Sequence, residues 1–168
     1  TSWHTFQADA VVTNQKNLLL VIGVADCVPI LFFDPIKQAI AAAHAGWRGT
    51  SLRIVEKVLE KMSQEYGSSP SDVRVVLGPA ISKKNYQVGS EVIEAFIKAG
   101  FPHNIYESDS DRYRLDLSAA NVYVVKNLGV THIDTLDYCT LADPEKFYSH
   151  RRDAKKRGSH WAVIKLSE

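Results

Sequence analysis

Residues 18–49, LLLVIGVADCVPILFFDPIKQAIAAAHAGWRG, predict the centre of the fold. Two apolar runs rich in branched side chains, residues 18–24 and 28–33, are typical of buried strands. Asp34-Pro35 marks a turn, because proline fixes its own φ and biases the preceding residue away from helix. Residues 38–44 are expected to form a third strand, whose alanines indicate close packing against a neighbouring element. Short connections therefore place these strands side by side in the core.

Helices are predicted outside this centre, where apolar residues recur every three or four positions. Residues 50–62 show this spacing, with Leu52 counted on the apolar face. Residues 90–99, with Ser90 as N-cap, and residues 117–128 complete the predicted helices. Further strands are predicted over residues 73–77, 131–136, 147–150 and 161–166.

These elements predict an α+β (mixed α/β) fold. Strands outnumber helices and several are joined by short turns, which favours mixed β-sheets in a layered sandwich flanked by helices. The chain has 168 residues and shows no internal repeat or linker, so residues 1–168 are expected to form a single domain.

Composition argues against several classes of function. The formal net charge is +1, so no global field favours nucleic acid or a membrane surface. No apolar run approaches the roughly 18 residues of a membrane-spanning helix, and no signal peptide is visible. We therefore expect a cytoplasmic protein in which Cys27 and Cys139 are reduced thiols.

Cys27 and His44 are the most informative functional residues. Each stands where a predicted strand meets a turn, in ADCVP and AAAHAGWRG. Thiolate sulfur and imidazole nitrogen are ligands that zinc and copper favour. The same two side chains also form a nucleophile and base pair in thiol hydrolases. The residues alone leave both interpretations open.

Five stretches resemble one family in their order and spacing. They are ADCVPILFFD (25–34), AAAHAGWRGT (41–50), LGPAISKKNYQVGSEVIEAF (77–96), DYCT (137–140) and FYSHRRD (147–153). Together they resemble the laccase-domain family, also called the multicopper polyphenol oxidase or peptidoglycan editing factor family, which includes zinc-dependent purine nucleoside phosphorylases. The resemblance runs from about residue 8 to residue 166, and HAGWRG with the upstream DC-x-P is its most specific part.

The resemblance implies a metal bound by one Cys and two His. Cys27 and His44 match two of these ligands, with zinc favoured over copper. The remaining family His lies in a Gln-Val-His-Gly motif, which this sequence lacks. His4 stands only five positions before Asp9, too close to match the family His by spacing. Either the chain is a truncated product, or the third ligand comes from His4 or from another molecule. The chain, which opens at Thr1, is expected to lack the family's N-terminal segment.

The implied activity is phosphorolysis of adenosine, inosine and related nucleosides such as 5′-methylthioadenosine. Adenosine deamination is a second reaction that the same site could support. The partners are then a nucleoside and phosphate, and a homo-oligomer is left open. Cys27, His44 and Arg48 are the expected catalytic residues, and Arg48 and Arg151 are expected to bind the anionic substrate. If residues 147–150 form a strand that continues onward, Arg151 and Arg152 point to opposite faces, with Asp153 pairing with Arg151.

Three alternatives remain. A Cys/His amidase that edits peptidoglycan precursors would use Cys27 as nucleophile and His44 as base. A laccase-like polyphenol oxidase would need many more His ligands in His-x-His pairs than this chain provides. An inactive metal-binding domain would result if the missing ligand is not replaced.

Three further residues have expected roles. Asp26 is expected to orient a ligand or cap a turn. His150 is expected to be a hydrogen-bonded structural residue, and Cys139 is expected to be inert packing in the core.

Overall fold

The computed structural model describes residues 8–154 and 158–167. In this part of the chain ten strands form three sheets. The strands are β1 Ala10–Thr13, β2 Leu19–Val24, β3 Val28–Asp34, β4 Ala39–Ala45, β5 Arg74–Leu77, β6 Gln87–Val88, β7 Tyr106–Asp109, β8 Arg112–Leu115, β9 His132–Thr135 and β10 His160–Lys165. The helices are α1 Trp47–Ser51, α2 Ile54–Tyr66, α3 Ser90–Lys98, α4 Leu117–Asn127 and α5 His150–Asp153.

The largest sheet has the strand order β1-β4-β3-β5-β9, so the strongly apolar β3 lies at its centre. Its pairs are antiparallel except for β5 with β9, which are parallel. The mixed sheet follows from the connections, because short turns join β3 to β4 whereas helices intervene between β5 and β9. The predicted α+β class is confirmed.

The alanines of β4 allow the close layering of the sandwich. Ala41 and Ala43 belong to the core that α2 covers, whereas Ile40 and Ala42 belong to a second core beneath the β10–β2 sheet. Alternate residues of a strand point to opposite faces, so this one strand serves both layers. Small side chains let a helix and a second sheet approach the same strand closely. These layers are helices, the five-stranded sheet and the two-stranded sheet, and a separate three-stranded sheet has the order β6-β8-β7.

The predicted helix over residues 50–62 is confirmed except at residues 52 and 53, where it is interrupted. The backbone breaks into α1 and α2 at Arg53, which has a φ of 57°. Leu52 lies in the break and is 66% exposed, so it does not belong to the apolar face. The true buried face of α2 keeps the expected spacing, with Val55, Leu59 and Met62 in the core. The N-cap of α3 is Gly89, one residue before the predicted Ser90.

The predicted strand over residues 147–150 is also wrong. This stretch is a turn that leads into α5, with Ser149 as the N-cap. The Ser149 hydroxyl accepts a hydrogen bond from Arg152 N at 3.1 Å, and Ser149 N donates to the Asp153 carboxylate at 3.0 Å. This reciprocal capping outweighs the preference of Phe147 and Tyr148 for strands.

The two-stranded sheet has a buried face and an exposed apolar face. Leu20, Ile22 and Val24 of β2 point into the second core. The alternate positions of the pair point outward and keep large apolar side chains in solvent, namely Leu19, Val21, Trp161 and Val163. None of the helices found in residues 8–154 and 158–167 has the length and apolar character to cross a membrane.

Candidate active site

The pairing of β3 with β4 brings Cys27 and His44 together. Val28 pairs with Ala45, so Cys27, one residue before β3, lies beside Gly46, one residue after β4. A β-carbon built on Gly46 would stand 3.0 Å from Cys27 Sγ and 3.8 Å from His44 Cε1. Both side chains therefore flank the same small residue. A larger side chain at this position would crowd the sulfur.

The orientation of the His44 ring is fixed by Asp9. His44 Nδ1 lies 3.1 Å from Asp9 Oδ1, and His44 N donates to the Asp9 carbonyl at 2.7 Å. A carboxylate only accepts hydrogen bonds, so the ring carries its proton on Nδ1. Nε2 is then left with a lone pair for a metal ion or a proton. A carboxylate behind a histidine is the usual support of a metal-binding imidazole.

Asp26 joins three distant parts of the chain beneath the site. One carboxylate oxygen accepts from Thr140 Oγ1 at 2.6 Å, and the other accepts from Ser149 Oγ at 3.0 Å and from Arg151 N at 2.7 Å. The side chain is buried, and its backbone has a φ of 86°. A left-handed conformation at a residue other than glycine is costly, so these hydrogen bonds hold it in place. Asp26 thus connects the start of β3 to α5.

A cavity of about 660 Å³ opens at this edge of the sheet. This volume lies in the range of pockets that bind small molecules. Its walls come from the start of β3, the end of β4, the end of β2 and the turn before β10. The lining residues used below are Gly23, Asp26, Cys27, His44, Trp47, Tyr86, His150, Arg151 and Ser159.

Arg151 reaches the cavity from α5, and Arg152 does not line it. Arg151 Nη1 donates to the Gln87 carbonyl at 2.8 Å, and its guanidinium carbon lies 5.3 Å from the centre of the Tyr86 ring. Arg152 instead pairs with Asp153, at 2.7 Å, and donates to three backbone carbonyls. The expected pairing of Asp153 with Arg151 is therefore wrong, because these residues form a capped helix and not a strand.

Arg48 lies outside the lining of this cavity. It is exposed, and its guanidinium carbon stacks 4.4 Å from the centre of the Trp47 ring. Trp47 itself lines the cavity and packs against the main core. Arg48 still lies near the cavity, because its charge acts to lower the pKa of Tyr86, although burial and other groups raise that pKa overall.

Tyr86 is a cavity residue that sequence reasoning missed. Burial raises the pKa of its hydroxyl to about 12, with Cys27 and Asp26 adding to the rise and Arg151 opposing it. The hydroxyl is consequently neutral at pH 7 and can donate a hydrogen bond. A lone tyrosine in KKNYQV carries no signal by itself, because its role depends on residues far away in the chain.

His150 and Cys139 differ in their position relative to the cavity. His150 is exposed on the cavity wall as the first residue of α5. Cys139 lies outside the cavity lining and receives hydrogen bonds from Ser82 Oγ at 3.2 Å, Ser82 N at 3.4 Å and Asn85 Nδ2 at 3.1 Å. Burial raises its pKa, but these donors outweigh burial and lower it to about 7. Cys139 thus sits in a polar environment and not in the inert packing that was expected.

The ligand atoms that the cavity offers are of the types that zinc prefers. Cys27 and His44 supply a thiolate and an imidazole nitrogen, and Gly46 leaves space beside the sulfur. No group of three or more His, Cys, Asp or Glu able to hold a metal occurs in the part of the chain that the structure describes. His4, the expected source of a third ligand, lies outside the described residues.

Proteins named as nucleoside enzymes are similar to this chain over most of its length. A protein of Deinococcus radiodurans named purine nucleoside phosphorylase is 41% identical over 96% of this chain and 62% of its own length. A prokaryotic protein named adenosine deaminase RL5, of unknown source organism, is 35% identical over 86% of this chain and 56% of its own length. The chain thus spans about 60% of the length of these two relatives.

Solved structures share the fold as well. The crystal structure of the Bacillus licheniformis hypothetical protein YfiH superposes with a TM-score of 0.91 at 34% identity, covering 95% of this chain and 61% of that one. The family model described as multi-copper polyphenol oxidoreductase laccase matches residues 2–167. The chain therefore belongs to the multi-copper polyphenol oxidoreductase laccase family.

Proposed function

We propose that this chain forms the catalytic part of a zinc-dependent purine nucleoside phosphorylase. One observation carries the proposal: a thiol, an imidazole and a guanidinium, from Cys27, His44 and Arg151, line a single cavity of about 660 Å³. That volume suits a nucleoside together with phosphate. The name of the Deinococcus radiodurans relative supports the same activity. Adenosine, inosine and 5′-methylthioadenosine are the substrates to test.

Cys27 and His44 would hold the zinc ion, and Asp9 would fix His44 with Nε2 directed to it. A bound zinc ion polarises an oxygen ligand and lowers the pKa of a bound water. A complete site needs at least one more protein ligand, for which His4 or another molecule is the candidate. A zinc site of three protein ligands keeps a position open, which a catalytic site requires.

The cavity residues can serve phosphorolysis as follows. A phosphate oxygen attacks C1′ of the ribose, the bond from C1′ to the purine nitrogen breaks, and the base leaves with the electron pair and takes up a proton. Arg151 pairs with the phosphate, since a guanidinium matches two of its oxygens. Tyr86, whose hydroxyl is neutral at pH 7, can donate a hydrogen bond to the bound substrate. His150, which also lines the cavity, is the candidate to supply that proton.

Phosphate-dependent cleavage is the decisive test. With adenosine and inosine, we expect free base and ribose 1-phosphate to form only when phosphate is present. Cys27→Ala and His44→Ala should each lower kcat/KM at least about 100-fold and remove bound zinc, measured by elemental analysis. Cys139→Ala is the matched control, because that thiol lies outside the cavity lining, and it should retain activity. Cleavage that does not depend on phosphate, or full activity of both variants, would contradict the proposal.

Adenosine deamination is the second candidate, because the adenosine deaminase RL5 is also similar to this chain. It would appear in the same assay as inosine and ammonia formed without phosphate. The amidase alternative stays a prediction, and stoichiometric alkylation of Cys27 in zinc-loaded protein would support it.

We further propose a reducing, cytoplasmic setting, supported by Cys27 and Cys139 not being joined in a disulfide. Homo-oligomer formation stays a prediction for sedimentation.

A further inference from the structure

Trp161 occupies an unusual place beside the cavity. It lies on the outer face of β10 and is 73% exposed, more than any other large apolar side chain in the described residues. It is the largest side chain of an exposed apolar patch that also contains Leu19, Val21 and Val163, and such patches mark binding surfaces.

Trp161 does not itself line the cavity, but two of its neighbours do. Trp161 pairs with Gly23 across the β10–β2 sheet. A β-carbon on Gly23 would stand 3.5 Å from Trp161 Cδ1, 3.6 Å from its Nε1 and 3.8 Å from Ser159 Cβ. Gly23 and Ser159 both line the cavity. The five-membered ring of the indole therefore lies over a residue of the cavity wall.

The other tryptophan at the cavity is already engaged. Trp47 packs against the main core, and the guanidinium of Arg48 stacks on its ring at 4.4 Å. Trp161 instead is 73% exposed and contacts the position of Gly23, a lining residue, from outside the cavity. A planar heteroaromatic ring can stack on such a surface without further hydrogen bonds, because every base has a π-face.

We propose that Trp161 is a binding residue for the substrate, on which the purine base of the nucleoside stacks while the ribose enters the cavity beside Gly23. This inference rests on the proposed function. It assigns the base to the β10 side of the cavity and the anion to the Arg151 side. Trp161 then acts on affinity for the nucleoside and leaves the reacting bonds to the residues inside the cavity.

Steady-state kinetics on Trp161→Ala, Trp161→Phe and Val163→Ala test this inference. Val163 is the matched control, because it is exposed on the same face of β10, two residues from Trp161. Trp161→Ala should raise KM for adenosine about 10- to 100-fold, with kcat within about twofold of the parent protein and KM for phosphate unchanged. Trp161→Phe should recover most of the affinity, and Val163→Ala should behave as the parent does.

The outcomes separate this inference from the proposed function. If the parent protein cleaves nucleosides and Trp161→Ala leaves KM for adenosine unchanged, the stacking role is wrong while the function stands. If the parent cleaves no nucleoside, the proposed function fails, and equilibrium dialysis with adenosine decides the inference. Weaker adenosine binding by Trp161→Ala alone then supports stacking, whereas equal binding by all variants, or none by the parent, overturns it. Thermal melts establish that each variant is folded.

Discussion

At the scale of single residues, Cys139 shows how hydrogen-bond donors determine the chemistry of a thiol. Its sulfur accepts from the hydroxyl and the backbone N–H of Ser82 and from the amide of Asn85. Each donor stabilises the thiolate more than the thiol, and together they lower the pKa to about 7 although burial acts in the opposite direction. Thiolates are the reactive form, so Cys139 is expected to react at neutral pH.

Alkylation of Cys139 by iodoacetamide should therefore rise with a midpoint near pH 7. Ser82→Ala removes the hydroxyl donor but keeps the backbone N–H, and should move that midpoint upward. Mass spectrometry of the Cys139 peptide measures the rate separately from Cys27. Because the pKa is lower in the folded protein, this thiolate stabilises the fold at alkaline pH, and the contribution is lost as the pH falls through 7. An ordinary thiol midpoint near pH 8.5 in the parent protein would refute the prediction.

At the scale of elements, the best-predicted parts are those whose signal is local. The strands β2, β3 and β4 were expected because their apolar runs are long and bounded by a turn at Asp34-Pro35. The stretch before α5 was mistaken for a strand, because two aromatic residues suggest one while the capping by Ser149 shows only in three dimensions. The break at Arg53 was missed for a similar reason, since no glycine or proline marks it.

The two faces of β2 make a quantitative prediction at this scale. Ile22 points into the second core and is 8% exposed, whereas its neighbour Val21 points outward and is 36% exposed. Ile22→Ala should lower the free energy of unfolding by about 2–5 kcal/mol, because it leaves a cavity in the core. Val21→Ala should change it by about 0.5 kcal/mol or less. Urea denaturation of both variants measures the difference, and similar losses in the two would contradict the layered arrangement.

For the molecule as a whole, the cavity depends on contacts between distant parts of the sequence. Cys27 and His44 were identified from the sequence because they end neighbouring strands of one hairpin. Asp26 was assigned only a ligand-orienting or turn-capping role, and the partners of its carboxylate lie 114 to 125 residues away. A local sequence pattern cannot show which residues so far apart in the chain are in contact. Tyr86 was missed for the same reason, whereas Arg151 was expected at the site and only its place on a capped helix instead of a strand was missed.

Asp26 should therefore matter for stability and for the site at once. Asp26→Ala would leave the buried hydroxyls of Thr140 and Ser149 and the part-buried Arg151 N without their acceptor. Each such donor costs about 1–3 kcal/mol, so we expect a loss of about 3 kcal/mol or more in urea denaturation. Thr140→Val is the matched comparison, since it removes only the hydroxyl at 2.6 Å and should cost about 1–3 kcal/mol.

The same substitution should loosen α5, because Arg151 N is one of the three donors. Arg151 would then be less well held at the cavity, and KM for phosphate should rise about tenfold or more in Asp26→Ala, while Thr140→Val leaves it within about twofold. Hydrogen exchange at residues 149–153 gives a readout independent of activity, and it should be faster in Asp26→Ala than in Thr140→Val. Equal exchange and equal stability in the two variants would show that α5 is held by other contacts, with the capping by Ser149 as the first to examine.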